Sequence, residues 1–351
     1  MKIIHTADNH LGAPLIGLSP EKAKARSAEL TQTFLRLLRF ADKEGVEAIF
    51  LCGDLFDTPN PSLALLREVT DGIAACKAQV FFVTGNHDDG VAFPYTPANF
   101  HRFDQGAKSY RLGSVTVTGA DYRYVQGDCL RGGILPAETC NFLLLHGDVR
   151  QSFSYGKGEI DLSALGQKNV DYLALGHIHG GTEPRRLGGR GTYRYCGCLE
   201  GHGFDECGEK GFVLIEVADG IRQTFLPFAS RAYHEISVDV SGTESNPQRI
   251  EKILAKTENL PSKDGIKIRL KGSVALSSPV HLSSIQSALE ERFFHVKTED
   301  ETRENIDFSR YEKERTVKGE LVRLASRLPE EERARVLTIA FRALNGEELD
   351  V

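Results

Sequence analysis

Leu51-Cys52-Gly53-Asp54-Leu55-Phe56-Asp57 follows directly on the apolar run Ala48-Ile49-Phe50. About thirty residues later, Gly85-Asn86-His87-Asp88 follows on Val80-Phe81-Phe82-Val83. Short apolar runs rich in β-branched and aromatic residues, each ending in a polar turn, read as buried strands with loops at their ends. The pattern recurs three more times. Ile3-Ile4 runs into Asp8-Asn9-His10, Phe142-Leu143-Leu144-Leu145 into His146-Gly147-Asp148, and Tyr172-Leu173-Ala174-Leu175 into Gly176-His177-Ile178-His179. Five strand ends thus each deliver Asp, Asn or His. Strand ends are where α/β sheets gather their sites, and the neighbouring glycines allow tight turns and close backbone approach.

Working outward, Leu30, Phe34, Leu37, Leu38 and Ala41 recur at helical spacing between Pro20 and Lys43, after a Ser19-Pro20-Glu21 start and before Gly45. Pro61 to Ala75 reads as a second helix and Gln79 to Thr84 as the third strand, so the first ninety or so residues alternate βαβαβ, which favours a layered α/β domain. Ala92 to Gln105, with Phe93, Pro94, Tyr95, Pro97 and Phe100, reads as an irregular loop that covers the core or lines a groove. After Gly113 strands dominate, over 114–118, 141–146, 170–176, 192–195, 211–217 and 221–226, with Asp219-Gly220 as a hairpin turn. Two packed sheets with helices outside fit this order.

A boundary is expected near Ala229 to Tyr233. Residues 234–300 then read as a small α+β unit, and residues 310–351 as a helical segment. Val317, Leu321, Leu324 and Leu328 share one helical face, and Val336, Leu337, Ala340, Phe341 and Leu344 another. These faces pack on the body of the protein or dock another protein.

Composition sets bounds. The 351 residues are 40% hydrophobic and 26% charged, ordinary for a globular chain. No apolar run reaches membrane-spanning length, no signal-peptide pattern precedes the first strand, and seven scattered cysteines do not form a disulfide framework. A cytoplasmic protein with no membrane association is the expectation. A formal net charge of −6 is not the footprint of a strong autonomous nucleic-acid binder.

Asp8, His10, Asp54, Asn86, His146, His177 and His179 offer carboxylate, imidazole and amide groups and no thiolate. Such a set suits Mn²⁺, Fe²⁺ or Zn²⁺. Seven ligands exceed one tetrahedral site and suffice for two metals sharing a carboxylate, the arrangement used for in-line displacement at phosphorus. Cys196, Cys198, His202 and Cys207 can also be read as a zinc site, but their spacing fits no common zinc module. Cys52, Cys76, Cys129 and Cys140 read as buried or incidental thiols.

The set Asp8-x-His10, Gly53-Asp54-x-x-Asp57, Gly85-Asn86-His87-Asp88, His146-Gly147-Asp148 and Gly176-His177-x-His179 resembles the calcineurin-like metallophosphoesterases. Within that superfamily, the opening Lys2-Ile3-Ile4-His5-Thr6-Ala7-Asp8-Asn9-His10-Leu11-Gly12 resembles the SbcD-type DNA repair exonucleases, as does Tyr195-Cys196-Gly197-Cys198-Leu199-Glu200 followed by Glu209-Lys210-Gly211-Phe212. The resemblance covers residues 1–230 and, more loosely, the small unit. It implies a four-layer α/β/β/α sandwich as a nuclease domain over 1–230, a capping domain over 234–300 and a C-terminal partner dock over 310–351. It implies two divalent ions, Mn²⁺ in this family. Asp8, His10, Asp54 and His179 would hold one, and Asp54, Asn86, His146 and His177 the other, with Asp54 bridging. His87 would assist catalysis without binding metal. Asp57 is left out of the catalytic set because some members of the group carry histidine there. The implied partners are DNA and an SbcC-like coiled-coil ATPase, with homodimerisation. The same centre serves small-molecule or nucleotide phosphodiesterases and phosphatases, and a metal-stabilised DNA-binding or scaffold subunit is the non-enzymatic alternative.

Overall fold

The structure, a computed structural model, describes residues 1–103, 106–125, 135–149, 159–275, 278–305 and 308–344. Cys129 and the last residues of the 310–351 segment lie outside these. The chain divides into two compact units, Met1–His234 and Glu235–Val351.

In the first unit, one six-stranded sheet runs in the order Ile221–Pro227, Gly211–Val217, Lys2–Thr6, Ala48–Cys52, Gln79–Val83, Phe100–Phe103. Its last four strands are mutually parallel. The second sheet runs Arg185–Leu187, Gly191–Tyr195, Tyr172–Gly176, Cys140–His146, Val115–Gly119, Lys108–Leu112, with the four central strands parallel. Because side chains alternate along a strand, each sheet buries both faces. Ile3, Phe50, Phe81, Phe142, Leu144 and Tyr172 fill the space between the sheets. Ile4, Ile49, Leu51, Val80 and Phe82 face the helices Pro20–Glu44 and Leu63–Ala75. Leu143, Leu145, Leu173 and Leu175 turn to the opposite outer layer, which carries the short helix Leu162–Leu165. The result is the α/β/β/α sandwich.

The local signals explain the boundaries. Ser19 caps the first helix by accepting from Lys22 N–H, with Pro20 in the first turn, and Gly45 closes it in the left-handed conformation (φ 64°). Ser62, not Pro61, caps the second helix. Asp219-Gly220 joins two antiparallel strands. The expected irregular loop Ala92–Gln105 differs in part: Phe100–Phe103 is a strand added parallel to Gln79–Val83, and Phe93 packs on the helix-side core. Four residues, with polar His101 and Arg102 between two phenylalanines, are too short a run to separate from the aromatic loop before them.

The second unit holds a three-stranded sheet, Tyr233–Asp239, Gly265–Lys271 and His295–Asp300, with helices Asn246–Lys256 and Leu282–Glu290 over a core that includes Val240, Ile253, Ile266, Ile268 and Ile285. The helices Val317–Ala325 and Glu330–Leu344 bury Val322, Ala325, Leu337 and Phe341 against each other. Their expected apolar stripes are only partly used: Val317, Leu324, Leu328, Val336 and Leu344 stay exposed. Among the described residues no helix is long and apolar enough to cross a membrane.

Candidate metal centre

The C-terminal ends of Lys2–Thr6, Ala48–Cys52 and Gln79–Val83 in one sheet meet those of Cys140–His146 and Tyr172–Gly176 in the other. All seven residues anticipated as ligands come to that meeting point. Ligand atoms of Asp8, His10 and His179 form one group within 4.8 Å of one another, and those of Asp54, His146 and His177 form a second. Asn86 joins the second group, its Oδ1 3.1 Å from His146 Nε2. Asp54 Oδ2 reaches both, 3.2 Å from His146 Nε2 and 3.7 Å from His10 Nε2. His87 and Asn86 are the exposed members of the eight candidates; the His87 ring packs edge-on against that of His10, with 4.7 Å between centroids.

Backbone strain is concentrated here. Asp8, His10, Asp54 and His177 account for four of the five non-glycine residues with positive φ among the described residues. This conformation is unfavourable for residues with a Cβ and persists where the surroundings impose it, characteristically at functional sites. The close approach of the loops also dictates glycine at position 85, where a Cβ would lie 2.1 Å from Asp54 Oδ1.

The hydrogen bonds around the ligands fix ring orientation. His10 Nδ1 donates to Asp57 Oδ1 at 3.0 Å, and His179 Nδ1 donates to Glu206 Oε1. With both Nδ1 protons so engaged, the two Nε2 atoms face each other as acceptors only 3.1 Å apart. Two opposed lone pairs at that distance require a cation or a proton between them. His146 Nδ1 donates to the Cys52 carbonyl at 2.9 Å. Asp8 accepts from His177 N–H at 2.9 and 3.1 Å. Asp88 is wholly buried, accepting from Gly85 N–H at 2.8 Å and Leu55 N–H at 2.7 Å, so it ties the two central loops together.

The charges follow. Burial works against ionised Asp54, yet the hydrogen bond and positive field of His146 hold it down at about 2. Burial likewise opposes charge on His146, but Asp54 lifts it to about 9. Burial raises Asp8 to about 6 and depresses His10 to about 4. Glu206 raises His179 through their hydrogen bond. The pocket therefore stabilises positive charge beside Asp54. The convergent oxygen and imidazole donors, the opposed Nε2 pair and this charge balance all fit divalent cations.

Reading the sequence missed the supports. Asp57 orients His10, although the Gly53-Asp54-x-x-Asp57 spacing already marked it. Glu206 has no such marker; only the fold brings it under His179. There it also accepts from His202 N–H at 2.7 Å and from the His202 ring at 2.9 Å, and Cys198 Sγ lies 3.5 Å away. The cysteine-rich zinc reading is thereby dispersed. Cys196 turns between the sheets and Cys207 bonds the Phe204 carbonyl at 3.2 Å, while Cys198 and His202 gather around Glu206 and His179.

A family model for calcineurin-like phosphoesterases matches residues 1–181. The chain is similar to an uncharacterized metallophosphoesterase, YhaO, of Bacillus subtilis: 27% identical over 343 residues, covering 86% of this chain and 82% of that protein. It is also similar to the DNA double-strand break repair protein Mre11 of Sulfurisphaera tokodaii, 28% identical over 195 residues, 51% of this chain and 49% of that one. The chain thus matches about half the length of that relative. Among solved structures, a dimetal phosphatase from Danio rerio superposes with a TM-score of 0.46 and 11% identity, over 65% of this chain and 99% of that one.

Proposed function

Since this chain belongs to the calcineurin-like phosphoesterases, a family of hydrolases with a dinuclear divalent metal centre, we propose that it is a metal-dependent nuclease of the SbcD type, cleaving DNA phosphodiesters in repair. The observation that carries the chemistry is the shared carboxylate: Asp54 Oδ2 faces His146 Nε2 at 3.2 Å and His10 Nε2 at 3.7 Å, between the two donor groups. The similarity to an Mre11 repair protein supports DNA as the substrate.

On this reading Asp8, His10 and His179 hold one ion, Asn86, His146 and His177 the other, and Asp54 both. Two divalent ions, Mn²⁺ in this proposal, would make water a competent nucleophile near neutral pH and neutralise charge on the phosphate oxygens. The chain's own residues do the rest. Asp57 and Glu206 lock the rings of His10 and His179 with Nε2 turned inward. When one P–O ester bond breaks, the departing oxygen needs a proton. In this proposal His87 gives it: its Nδ1 lies 3.1 Å from the Asp57 carbonyl, which leaves Nε2 as the nitrogen available to substrate. The exposed apolar residues of helices Val317–Ala325 and Glu330–Leu344 are the proposed dock for a coiled-coil ATPase.

The acidic net charge favours a second reading, a phosphodiesterase acting on a smaller ester. Assaying the Mn²⁺-loaded protein side by side on linear DNA and on bis-p-nitrophenyl phosphate separates the two. Efficient cleavage of DNA supports the nuclease. Hydrolysis of the small ester with no cleavage of DNA, with or without a partner ATPase, supports the alternative.

A further inference from the structure

Among the described residues, the buried arginines have hydrogen-bond or ion-pair partners, with one exception. Arg26 bonds Glu200 at 3.2 Å and Glu29 at 2.9 Å, and Arg249 bonds Thr243, Asn246, Ser278 and the Pro279 carbonyl. Arg194, on the strand Gly191–Tyr195, is only 4% exposed, and its buried Nε has no hydrogen-bond partner. It forms no ion pair among the described residues, and its charge is felt by His5, whose pKa burial lowers first and Arg194 second. Lys210 is 7% exposed and likewise has no carboxylate partner among the described residues; its ammonium donates to the His179 carbonyl at 3.1 Å. Both cations line one cavity of about 240 Å³, together with His179, Phe225, Cys196 and Cys198. Glu183 and Glu209 also line it, but both are solvent-exposed and pair with neither cation.

Two cations held away from water without counter-ions are expensive, and their groups are donors only. Among the described residues Arg194 Nε meets no acceptor and Lys210 meets only the neutral His179 carbonyl, with no carboxylate for either, so the missing acceptor comes from outside. A guanidinium fork beside a point-charge ammonium matches a tetrahedral oxyanion, which accepts from both. We propose that this cavity is a binding site for a phosphate group, with Arg194 as the bidentate donor and Lys210 as the second cation. The cavity adjoins the metal centre, since His179 lines it as well. The Lys210 bond to the His179 carbonyl, which Cys198 N–H also reaches at 3.2 Å, connects the two. The proposal concerns binding and stands whether or not the metal centre cleaves DNA.

The test is calorimetric titration of the full-length protein with inorganic phosphate and, separately, with adenosine 5′-monophosphate. Each is run on metal-loaded protein and again after chelation, so that phosphate bound by the metals drops out. The expected result is a phosphate site that survives chelation and is weakened at least tenfold by Arg194→Met and by Lys210→Met. Arg194→Met is further expected to melt no lower than the parent in phosphate-free buffer, while losing the rise in Tm that phosphate gives the parent. If Arg194→Met does not fold, Lys210→Met carries the test alone. Equal affinity for the nucleotide identifies a phosphate monoester as the occupant, and preference for inorganic phosphate identifies the free ion. Phosphate binding that vanishes on chelation, or that both variants retain at full strength, overturns the proposal.

Discussion

Glu206→Gln isolates the support beneath His179. The Glu206 carboxylate accepts from the His179 ring, from His202 N–H at 2.7 Å and from the His202 ring at 2.9 Å. It serves these donors with two oxygens, and the group is largely buried. Replacing one oxygen by an amide NH₂ sets a donor against a donor on one side. It also removes the charge that holds the His179 proton on Nδ1 and so keeps Nε2 free for metal. One lost hydrogen bond to a buried charged group is worth about 1.5–3 kcal/mol, and loss of such a support typically weakens metal binding about 10–100-fold. The two scales agree, since tenfold is about 1.4 kcal/mol. Chelator-competition titration should therefore show one of two ions weakened by about 10–100-fold and the other little changed, with the fold intact by circular dichroism. Unchanged affinity for both ions would refute the positioning role, and equal weakening of both would refute the division of ligands into two groups.

His87→Ala should keep both metals and bind DNA, yet cut it about 10²–10⁴-fold more slowly, whereas His146→Ala should lose metal and activity together; near-normal turnover of the His87 variant would move the proton donor elsewhere. Gly85→Ala sets a methyl 2.1 Å from Asp54 Oδ1 and should lower metal content while leaving far-ultraviolet circular dichroism unchanged; full metal occupancy would contradict that geometry. His5 is wholly buried, its Nδ1 2.8 Å from the Tyr172 hydroxyl and its Nε2 3.2 Å from the Leu175 carbonyl, and burial lowers its pKa from 6.5 to about 3. Below about 6.5 the unfolded chain takes up a proton that the folded chain refuses. The His5 contribution is therefore fully present above that pH and is lost as pH falls toward 3, at up to about 1.4 kcal/mol per pH unit. Urea titrations from pH 7 to 4 should show this slope reduced in His5→Gln, and an identical slope would exclude His5 as its source.

Much of the sandwich was legible because its signals are local. Leu30, Phe34, Leu37 and Ala41 announce one helix face, and runs such as Ala48–Cys52, buried on both faces, announce central strands. The Asp, Asn and His residues at five strand ends announced the convergence, because parallel strands deliver their ends to one side. What stayed hidden depends on tertiary placement. Glu206 comes under His179 only when the loop after Tyr195 folds back. The stripe Val317, Leu321, Leu324 and Leu328 predicts an inward face, yet Val322 and Ala325 are the buried residues and Leu324 faces solvent. Periodicity alone cannot choose between two adjacent faces that both carry apolar residues. Arg194 reads as an ordinary strand residue, and only its burial without a counter-ion marks it.

The central claim is that one carboxylate couples two metal positions. Elemental analysis of the purified Asp54→Ala protein tests it most directly, beside the parent and Asp8→Ala. The account predicts about two equivalents of metal in the parent, loss of both together in Asp54→Ala, and loss chiefly of one in Asp8→Ala. Two full equivalents retained in folded Asp54→Ala would contradict it.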